Sequence, residues 1–545
     1  MYGYKKNGLI AGEYDENCAA RCYNGVFVGK KSEGVTAFRG IPFALPPTGA
    51  RRWKRPLPPE MSDNVYEAFY NGAAAIQTKL KSERASLFYQ SEDCLYLNVW
   101  TADNYQGQKR PVMVFIHGGN YGWGGTADPL YDGYNFVKAH PDVVLVTIAY
   151  RVGIAGFMDF SEVPGGDAYK ESGNVGLLDQ IYALKYIKEN IAGFGGDPDN
   201  VTVFGESAGG GSVSLLPLIP EAKGLFRRII AESGSVVLTY SKQECLPLTR
   251  ELMKAVSAKS MDDLLALSEE QLEAANKILK GNNNFPERDG VILPEDPYAS
   301  YDKGEAYPVD MLAGTNADEL RYWIQDVGGL VPYRHLSHLL FGMMLKQLDN
   351  DGKHRAKQFI RLQKERGLKG KPWQVTEFFN EMLFRLPALR QGEAHAKNGN
   401  KFYLYYWKYP SAKKYLGACH AVELAYVFNN LTDTIYTGDN IHATLAKNVQ
   451  NMWVNFAKTG DPSTGVIKWE PYTEKAHNTV ILDSTVRAEK EWREEEKKCL
   501  EPLLKYYFNG NSIAPSTDPK KILIPAAIIL GGAAAAAVIL YFLLR

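Results

Sequence analysis

Asn200-Val201-Thr202-Val203-Phe204-Gly205-Glu206-Ser207-Ala208-Gly209-Gly210 is the stretch that decides the fold. An apolar, β-branched run enters a Gly-x-Ser-x-Gly pentapeptide and small residues follow it, which predicts a strand, a tight turn and a helix. Gly205 and Gly209 lack a Cβ, so such a turn can close with the Ser207 hydroxyl pointing outward. The N-terminus of the helix favours developing negative charge. The stretch therefore predicts that Ser207 is a nucleophile.

The composition limits the alternatives. Glycine accounts for 50 of the 545 residues, so an isolated pentapeptide of this kind is also compatible with a plain glycine-rich connection. Lys+Arg and Asp+Glu both number 62, which leaves no net charge to attract nucleic acid or other polyanions. Cys18 and Cys22 have no second cysteine or histidine pair nearby, so they are interpreted as thiols rather than metal ligands. We expect neither a nucleic-acid partner nor a metal site.

The hydrophobic pattern predicts an α/β fold. Residues 112–117 and 143–148 are continuous apolar runs, as strands buried on both faces require. Residues 35–42 and 95–100 also indicate strands, and a helical stretch covers Val175–Asn190. Strands that alternate with helices predict a central, mostly parallel, twisted sheet with helices on both faces.

A second stretch with chemical potential follows the apolar run at 112–117. It reads His117-Gly118-Gly119-Asn120-Tyr121-Gly122-Trp123-Gly124-Gly125. Acyl transfer produces an oxyanion, which is stabilised by N–H donors fixed in advance around the developing charge. A glycine-rich loop can supply such donors, although alone it also fits a flexible connection. Beside Ser207 it predicts an oxyanion hole.

Six passages of the chain carry a family resemblance: 38–44 with the prolines and glycine after it, 92–98, 117–120, 173–180, 194–210 and 417–420. In these passages the chain resembles the type-B carboxylesterase/cholinesterase family of α/β-hydrolases, and it is similar to para-nitrobenzyl esterases rather than to cholinesterases. The segment from 75 to 94 is short and lacks the tryptophan of a choline site, which argues against a cholinesterase.

The resemblance implies an α/β-hydrolase fold and a triad in the order serine, acid, histidine. It assigns Glu319 as the acid, with Asp318 as the alternative, and His420 as the base. The implied oxyanion donors are the N–H groups of Gly119, Asn120 and Ala208, and Glu206 and Ser233 would hydrogen-bond behind the site. The implied activity is hydrolysis of carboxylic esters through an acyl-enzyme, with a small-molecule ester as substrate and no cofactor or metal.

Two alternatives stay open at this point. One is a hydrolase of amides, lactones or carbamates, which would use the same groups. The other is a non-catalytic binding or adhesion protein of the same fold, although relatives of that kind tend to lack the serine. The aromatic residues Tyr121, Trp123, Tyr322 and Trp323 are candidates for a substrate pocket, but core packing is the more common role for each.

The C-terminal region suggests a membrane anchor. About 23 residues from Ile522 to Leu544 run without a charge, long enough to span a bilayer of ~30 Å. The predicted organisation is a catalytic domain over residues 1–508, a polar linker over 509–521 and a transmembrane helix over 522–545. No signal peptide is evident at the N-terminus, so a single-pass anchor with a cytoplasmic catalytic domain is predicted.

Several charged residues are predicted to be structural. Arg39, Glu92, Arg151 and Asp179 are of the types that form buried ion pairs in the family. The charged stretch 487–498 is most simply the solvated face of a late helix.

Overall fold

Eleven strands form one continuous sheet in the computed structural model, which describes residues 5–77, 89–279, 282–324, 328–432 and 434–507. Within these ranges the strands are β1 (Ala19–Cys22), β2 (Gly25–Val28), β3 (Lys30–Ser32), β4 (Val35–Pro42), β5 (Val65–Glu67), β6 (Tyr96–Ala102), β7 (Arg110–Ile116), β8 (Val144–Ile148), β9 (Gly196–Glu206), β10 (Arg228–Glu232), β11 (Tyr240–Ser241), β12 (Glu287–Arg288), β13 (Asp310–Asn316), β14 (Phe402–Trp407), β15 (Thr479–Leu482) and β16 (Arg487–Glu489).

The order in the large sheet is β16-β15-β14-β13-β10-β9-β7-β8-β6-β4-β3. The run from β15 to β8 is parallel, and the edges β16, β6, β4 and β3 are antiparallel. The remaining strands form the small sheets β1-β2-β5 and β11-β12.

The α-helices lie between the strands and after them. They are α1 (Tyr134–Ala139), α2 (Val175–Asn190), α3 (Ala208–Leu215), α4 (Lys242–Ala255), α5 (Met261–Leu265), α6 (Glu269–Ile278), α7 (Pro297–Asp302), α8 (Leu330–Gln347), α9 (Asn350–Glu365), α10 (Lys371–Asn380), α11 (Leu386–Lys397), α12 (Leu424–Val427), α13 (Thr434–Thr437), α14 (Ala443–Thr459) and α15 (Glu494–Leu500). A π-helical turn, Glu381–Arg385, joins α10 to α11.

Both faces of the large sheet are buried. Along β7, Val112, Val114 and Ile116 belong to one apolar cluster, whereas Met113 and Phe115 belong to a second. Successive side chains on a strand point to opposite faces, so the two clusters are the cores above and below the sheet. This two-faced burial explains why β7 and β8 have continuous apolar sequences.

The parallel strands place the chemically interesting residues at one edge. The loop that begins at His117 follows β7, Ser207 follows β9, Ser233 follows β10 and Glu319 follows β13. Carboxyl ends of neighbouring parallel strands meet at the same edge, which is where ligands bind in open α/β sheets. The loop after β14 brings His420 to the same edge, since its backbone N–H donates to the Glu319 carbonyl at 3.3 Å.

The buried ion pairs agree only partly with the expectation. Arg151 pairs with Asp179 in the core, at 2.7 Å. Glu92 also forms a buried pair, with Arg52, whereas the pair of Arg39 with Asp132 is only half-buried. The side chains of the charged stretch 487–498 differ in exposure, from exposed to buried.

The prediction that this charged stretch is a solvated helix face is wrong for its central residues. The stretch contains the strand β16 and the helix α15. The Arg493 side chain is 11% exposed and the Glu496 side chain 2% exposed, because both contact charged groups of the preceding helices. The charged composition of the stretch predicted that these residues are exposed to solvent, but charged partners that are distant in the sequence bury them.

The prediction of a C-terminal transmembrane helix is also wrong as a part of the fold. None of the helices in the described ranges is long and apolar enough to cross a membrane. The longest of them, α8, has 18 residues and includes the charged residues Arg334 and Lys346. The segment 522–545, to which the prediction refers, lies outside the described residues, as do the linker 509–521 and the boundary at 508. The predicted membrane partner and membrane localisation therefore have no support from the described helices.

Candidate active site

Ser207 lies at the turn between β9 and α3. Its backbone has φ 57° and ψ −119°, a conformation that non-glycine residues rarely adopt. Two hydrogen bonds hold this turn: Ser207 N–H donates to the Glu232 carbonyl at 2.8 Å, and Gly211 N–H donates to the Ser207 carbonyl at 2.8 Å. Neighbouring backbone therefore fixes the strained conformation that presents the Ser207 side chain at the sheet edge.

The glycines of the pentapeptide are required by close backbone contact. A Cβ at Gly209 would lie 1.9 Å from the carbonyl oxygen of Ile116, and one at Gly205 would lie 2.6 Å from the carbonyl carbon of Gly209. The strand β9, the start of α3 and the end of β7 thus meet without intervening side chains. This contact brings the loop after β7 next to Ser207.

Glu319 has a fully buried carboxylate with three short contacts. Its Oε2 lies 2.6 Å from Nδ1 of His420. Its Oε1 accepts hydrogen bonds from Ser233 Oγ at 2.6 Å and from the backbone N–H of Asn316 at 2.7 Å. Because a carboxylate accepts here, Nδ1 of His420 carries the hydrogen.

Asp318 points away from His420. Its carboxylate pairs with Arg321 at 2.8 Å and accepts the backbone N–H of Ala418 at 3.0 Å. Burial raises the pKa of Asp318 above its ordinary value, although Arg321 acts in the opposite direction. Of the two neighbouring acids, Glu319 is the one that contacts the imidazole.

Glu206 lies on the other side of the imidazole. Its Oε1 is 3.1 Å from Nε2 of His420, so the ring stands between two buried carboxylates. In the described part of the chain, no hydrogen bond joins His420 to Ser207. Catalytic hydrogen bonds commonly form only once substrate is bound.

Two further buried carboxyl groups, of Glu232 and Glu423, lie near the carboxylates of Glu206 and Glu319. Burial raises the pKa of Glu232 to about 8, although Trp453 Nε1 donates to its Oε1 at 2.6 Å. Burial raises the pKa of Glu423 well above its usual range, and the charges of Glu206, Glu232 and Glu319 raise it further. The raised pKa values favour the protonated forms of both groups, which disfavours further negative charge around the imidazole.

The loop after β7 is held by hydrogen bonds to the backbone carbonyl groups of Gly118 and Gly119. Nδ1 of His117 lies 2.8 Å from the Gly118 carbonyl, and a carbonyl can only accept, so Nδ1 donates. The Gly119 carbonyl accepts from the N–H groups of Gly122 at 2.9 Å and Trp123 at 3.1 Å. In a trans peptide the N–H points opposite to the C=O. These bonds therefore fix the directions of the N–H groups of Gly119 and Asn120.

The expected oxyanion donors are available for a ligand. Within the described chain, the N–H groups of Gly119, Asn120 and Ala208 donate to no other protein group. Ala208 is the first residue of α3, where an N–H has no partner within the helix. Burial lowers the pKa of His117 to about 4, so its ring is neutral at physiological pH and adds no charge to this loop.

Aromatic side chains surround His420. The ring centroids of Phe384, Trp323 and Tyr322 lie 5.2, 5.3 and 6.0 Å from that of His420. Phe384 belongs to the π-helical turn, a feature that is frequent at functional sites. Tyr121, in contrast, is fully buried in the core.

Sequence reasoning missed two contributors to this site. Phe384 reaches it through the π-helical turn, and Asn283 donates from Nδ2 to the Asn120 carbonyl at 2.5 Å. Neither belongs to a recognisable motif, and Asn283 lies 163 residues from its partner. No local sequence signal indicates such contacts. The described residues contain no group of His, Cys, Asp or Glu side chains that could hold a metal ion.

Comparisons with known proteins identify the family of the chain. Residues 20–500 match the model of the carboxylesterase family. The para-nitrobenzyl esterase of Bacillus subtilis (strain 168) is 36% identical over 495 residues, covering 87% of this chain and 96% of that protein. The human cocaine esterase is 33% identical over 495 residues, covering 83% of this chain and 84% of that protein.

Solved structures give the same result. The carboxylesterase EST55 of Geobacillus stearothermophilus superposes with a TM-score of 0.79 at 33% identity, covering 88% of this chain and 99% of that chain. Family match, sequence identity and fold agree over most of the chain. The chain therefore belongs to the carboxylesterase family and is a serine carboxylesterase, an enzyme that hydrolyses carboxylic esters.

Proposed function

We propose that Ser207, Glu319 and His420 form the catalytic triad of this esterase. The observation that carries the proposal is the 2.6 Å contact between His420 Nδ1 and Glu319 Oε2, at the sheet edge that presents Ser207 in its strained turn. This contact makes Nδ1 the donor to Glu319 and leaves Nε2, which lies 3.1 Å from Glu206 Oε1, as the nitrogen that takes up and gives back the proton during the reaction. Glu319 is preferred to Asp318 because Asp318 is engaged by Arg321.

The proposed reaction has two halves. Nε2 of His420 takes the Ser207 proton as Ser207 Oγ attacks the ester carbonyl carbon, and the N–H groups of Gly119, Asn120 and Ala208 stabilise the oxyanion. The imidazolium, stabilised by Glu319 and by Glu206, gives its proton to the departing alcohol oxygen. Water then attacks the acyl-enzyme with His420 again as the base, which releases the acid and restores Ser207.

The aromatic side chains suggest which esters are preferred. His420 protonates the leaving oxygen, so the alcohol part of the ester lies beside the imidazole and its neighbours Tyr322, Trp323 and Phe384. Flat apolar groups pack well against such rings. We therefore assign esters of benzyl-type alcohols as a preferred class. The matched relative that is named for para-nitrobenzyl esters supports this assignment.

The triad is tested by hydrolysis of p-nitrophenyl acetate, butyrate and octanoate by the full chain and by Ser207→Ala. We expect the variant to lose about 10⁴-fold or more in kcat, since the nucleophile is removed. Ser300→Ala, which alters a buried serine of α7, is the matched control and retains turnover. A folded Ser207→Ala variant with substantial turnover would contradict the proposal, and the chain-length trend measures the acyl pocket.

The alcohol preference is tested separately with benzyl butyrate and ethyl butyrate. We expect kcat/KM to be higher for the benzyl ester, and Phe384→Ala to reduce that ratio by about 10-fold through lost ring contact. Equal ratios in the two proteins would contradict the role of this aromatic wall.

A further inference from the structure

One buried amide connects both sides of the Glu319 loop. Asn380, the last residue of α10, is 4% exposed. Its Nδ2 donates to the Ala317 carbonyl at 3.1 Å, and its Oδ1 accepts the Leu320 N–H at 3.1 Å. Ala317 and Leu320 flank the Asp318–Glu319 pair, so a single side chain fixes the backbone on either side of the carboxylate that contacts His420.

An ion pair stands behind this amide. Nδ2 of Asn380 also donates to Glu377 Oε2 at 3.0 Å, and Oε1 of the same carboxylate lies 2.5 Å from Nη1 of Arg493. Arg493 contacts Glu381 of the π-helical turn at 3.2 Å and donates to Tyr406 Oη at 3.0 Å. The late segment predicted to be solvated is thus connected through Glu377 to the Glu319 loop.

We infer that Asn380 is a positioning residue for ester hydrolysis, which holds the loop that directs Glu319 at His420, and that the Glu377–Arg493 pair holds its amide in place. The inference rests on the proposed triad. An amide is required because the site needs a donor towards Ala317 and an acceptor for Leu320 at once. Displacement of the loop would lengthen the 2.6 Å contact on which the imidazolium depends.

The experiment compares the full chain with Asn380→Asp, a change of nearly equal shape. The acceptor for Leu320 N–H stays, but a carboxylate oxygen now opposes both the Ala317 carbonyl and Glu377. We expect kcat to fall about 10-fold with KM within about 2-fold, because transition-state geometry changes while the substrate pocket does not. The acid limb of the kcat/KM profile should move to lower pH, since an imidazolium that loses its carboxylate releases its proton more readily.

The matched control is Asn398→Asp. Asn398 also donates to two backbone carbonyls, of Tyr301 at 2.8 Å and Ala394 at 2.9 Å, but in the helical layer at the end of α11. It should lower Tm without moving the pH profile. If Asn380→Asp lowers Tm to a similar degree and leaves kcat and the acid limb as in the wild type, the role of Asn380 is only structural and the inference is overturned.

A second variant covers the case in which Asn380→Asp does not fold. Glu377→Gln keeps a side-chain oxygen for Asn380 Nδ2 but removes the charge that pairs with Arg493. We expect the same acid-limb shift with a kcat loss of about 2- to 3-fold. An unchanged profile would overturn the part assigned to the ion pair. Ser207→Ala distinguishes failure of the proposed triad from failure of the positioning role. If Ser207→Ala stays active, the triad itself is wrong. If Ser207→Ala is inactive but Asn380→Asp has wild-type kcat and pH profile, only the positioning role is refuted.

Discussion

The nucleophile side of the site and its acid–base side are held by different kinds of contact. Around Ser207 and Gly119 the contacts are between backbone groups, and glycines allow strand, helix and loop to touch directly. Around Glu319 and His420 the contacts are between side chains from distant parts of the chain. The first side depends on conformations that few residues can adopt, and the second on charge and hydrogen bonding.

This difference predicts how each side fails. Substitutions on the backbone-held side act through strain, so added volume is enough to harm activity. On the side-chain-held side, volume can be kept while the loss of a charge or a hydrogen changes the chemistry. Isosteric substitutions therefore separate the two sides.

Glu319→Gln should have the largest effect among these tests. The amide keeps the shape of the carboxylate, but its N–H₂ group can face Nδ1 only if the ring adopts the tautomer with Nε2 protonated. That ring cannot accept the Ser207 proton, and kcat should fall about 10³- to 10⁴-fold. Steady-state hydrolysis of p-nitrophenyl butyrate measures it.

Asp318→Asn is the control for the acid assignment. Asp318 pairs with Arg321 at 2.8 Å, so its loss should weaken the loop and reduce kcat by about 10-fold at most. A greater loss in Asp318→Asn than in Glu319→Gln would reverse the assignment of the acid.

Gly119→Ala should come next in size. Gly119 has φ +101°, and a Cβ there would lie 2.1 Å from the Trp123 carbonyl oxygen. The loop must shift, which displaces the N–H groups of Gly119 and Asn120 from the oxyanion. Loss of such donors costs about 10²- to 10³-fold in kcat. Gly107→Ala is matched, with φ +73° but no atom near the added Cβ, and should keep normal kcat. Equal kcat values in the two variants would show that the loop does not set the rate.

Local sequence was sufficient for much of the backbone-held side. The residues 200–210 encode their own strand, turn and helix, and the predicted spans Val35–Pro42 and Val175–Asn190 coincide with β4 and α2. Hydrophobic periodicity and glycine placement act over a few residues, so one sequence reveals them.

The side-chain-held side was less accessible to prediction. Asn380 lies 60 residues from Leu320, and Arg493 lies more than 100 residues from Glu377. Such pairings depend on where helices dock, which no local pattern encodes. For the same reason the charged stretch around Arg493 was assigned to solvent. The apolar run after residue 521 was assigned to a membrane, and no helix in the described ranges supports that assignment.

Glu232→Gln should leave kcat nearly unchanged and alter stability instead. The pKa of Glu232 is raised to about 8 by burial, so the folded protein holds a proton that the unfolded chain releases near pH 4.5. The stability that this group contributes is present below pH 4.5 and is lost as the pH rises through 8. Glutamine is neutral at every pH and its Oε1 can still accept from Trp453, so the variant avoids the loss.

Denaturant unfolding from pH 5 to pH 9 measures this difference. The free energy of unfolding of Glu232→Gln should rise relative to the wild type by up to about 1.4 kcal/mol per pH unit until the pH passes 8. Glu251→Gln removes an exposed carboxylate of α4 and should show no such trend. If the difference in free energy of unfolding between Glu232→Gln and the wild type is constant with pH, Glu232 is ionised in the folded protein. The acid–base side would then carry one more negative charge than its contacts indicate.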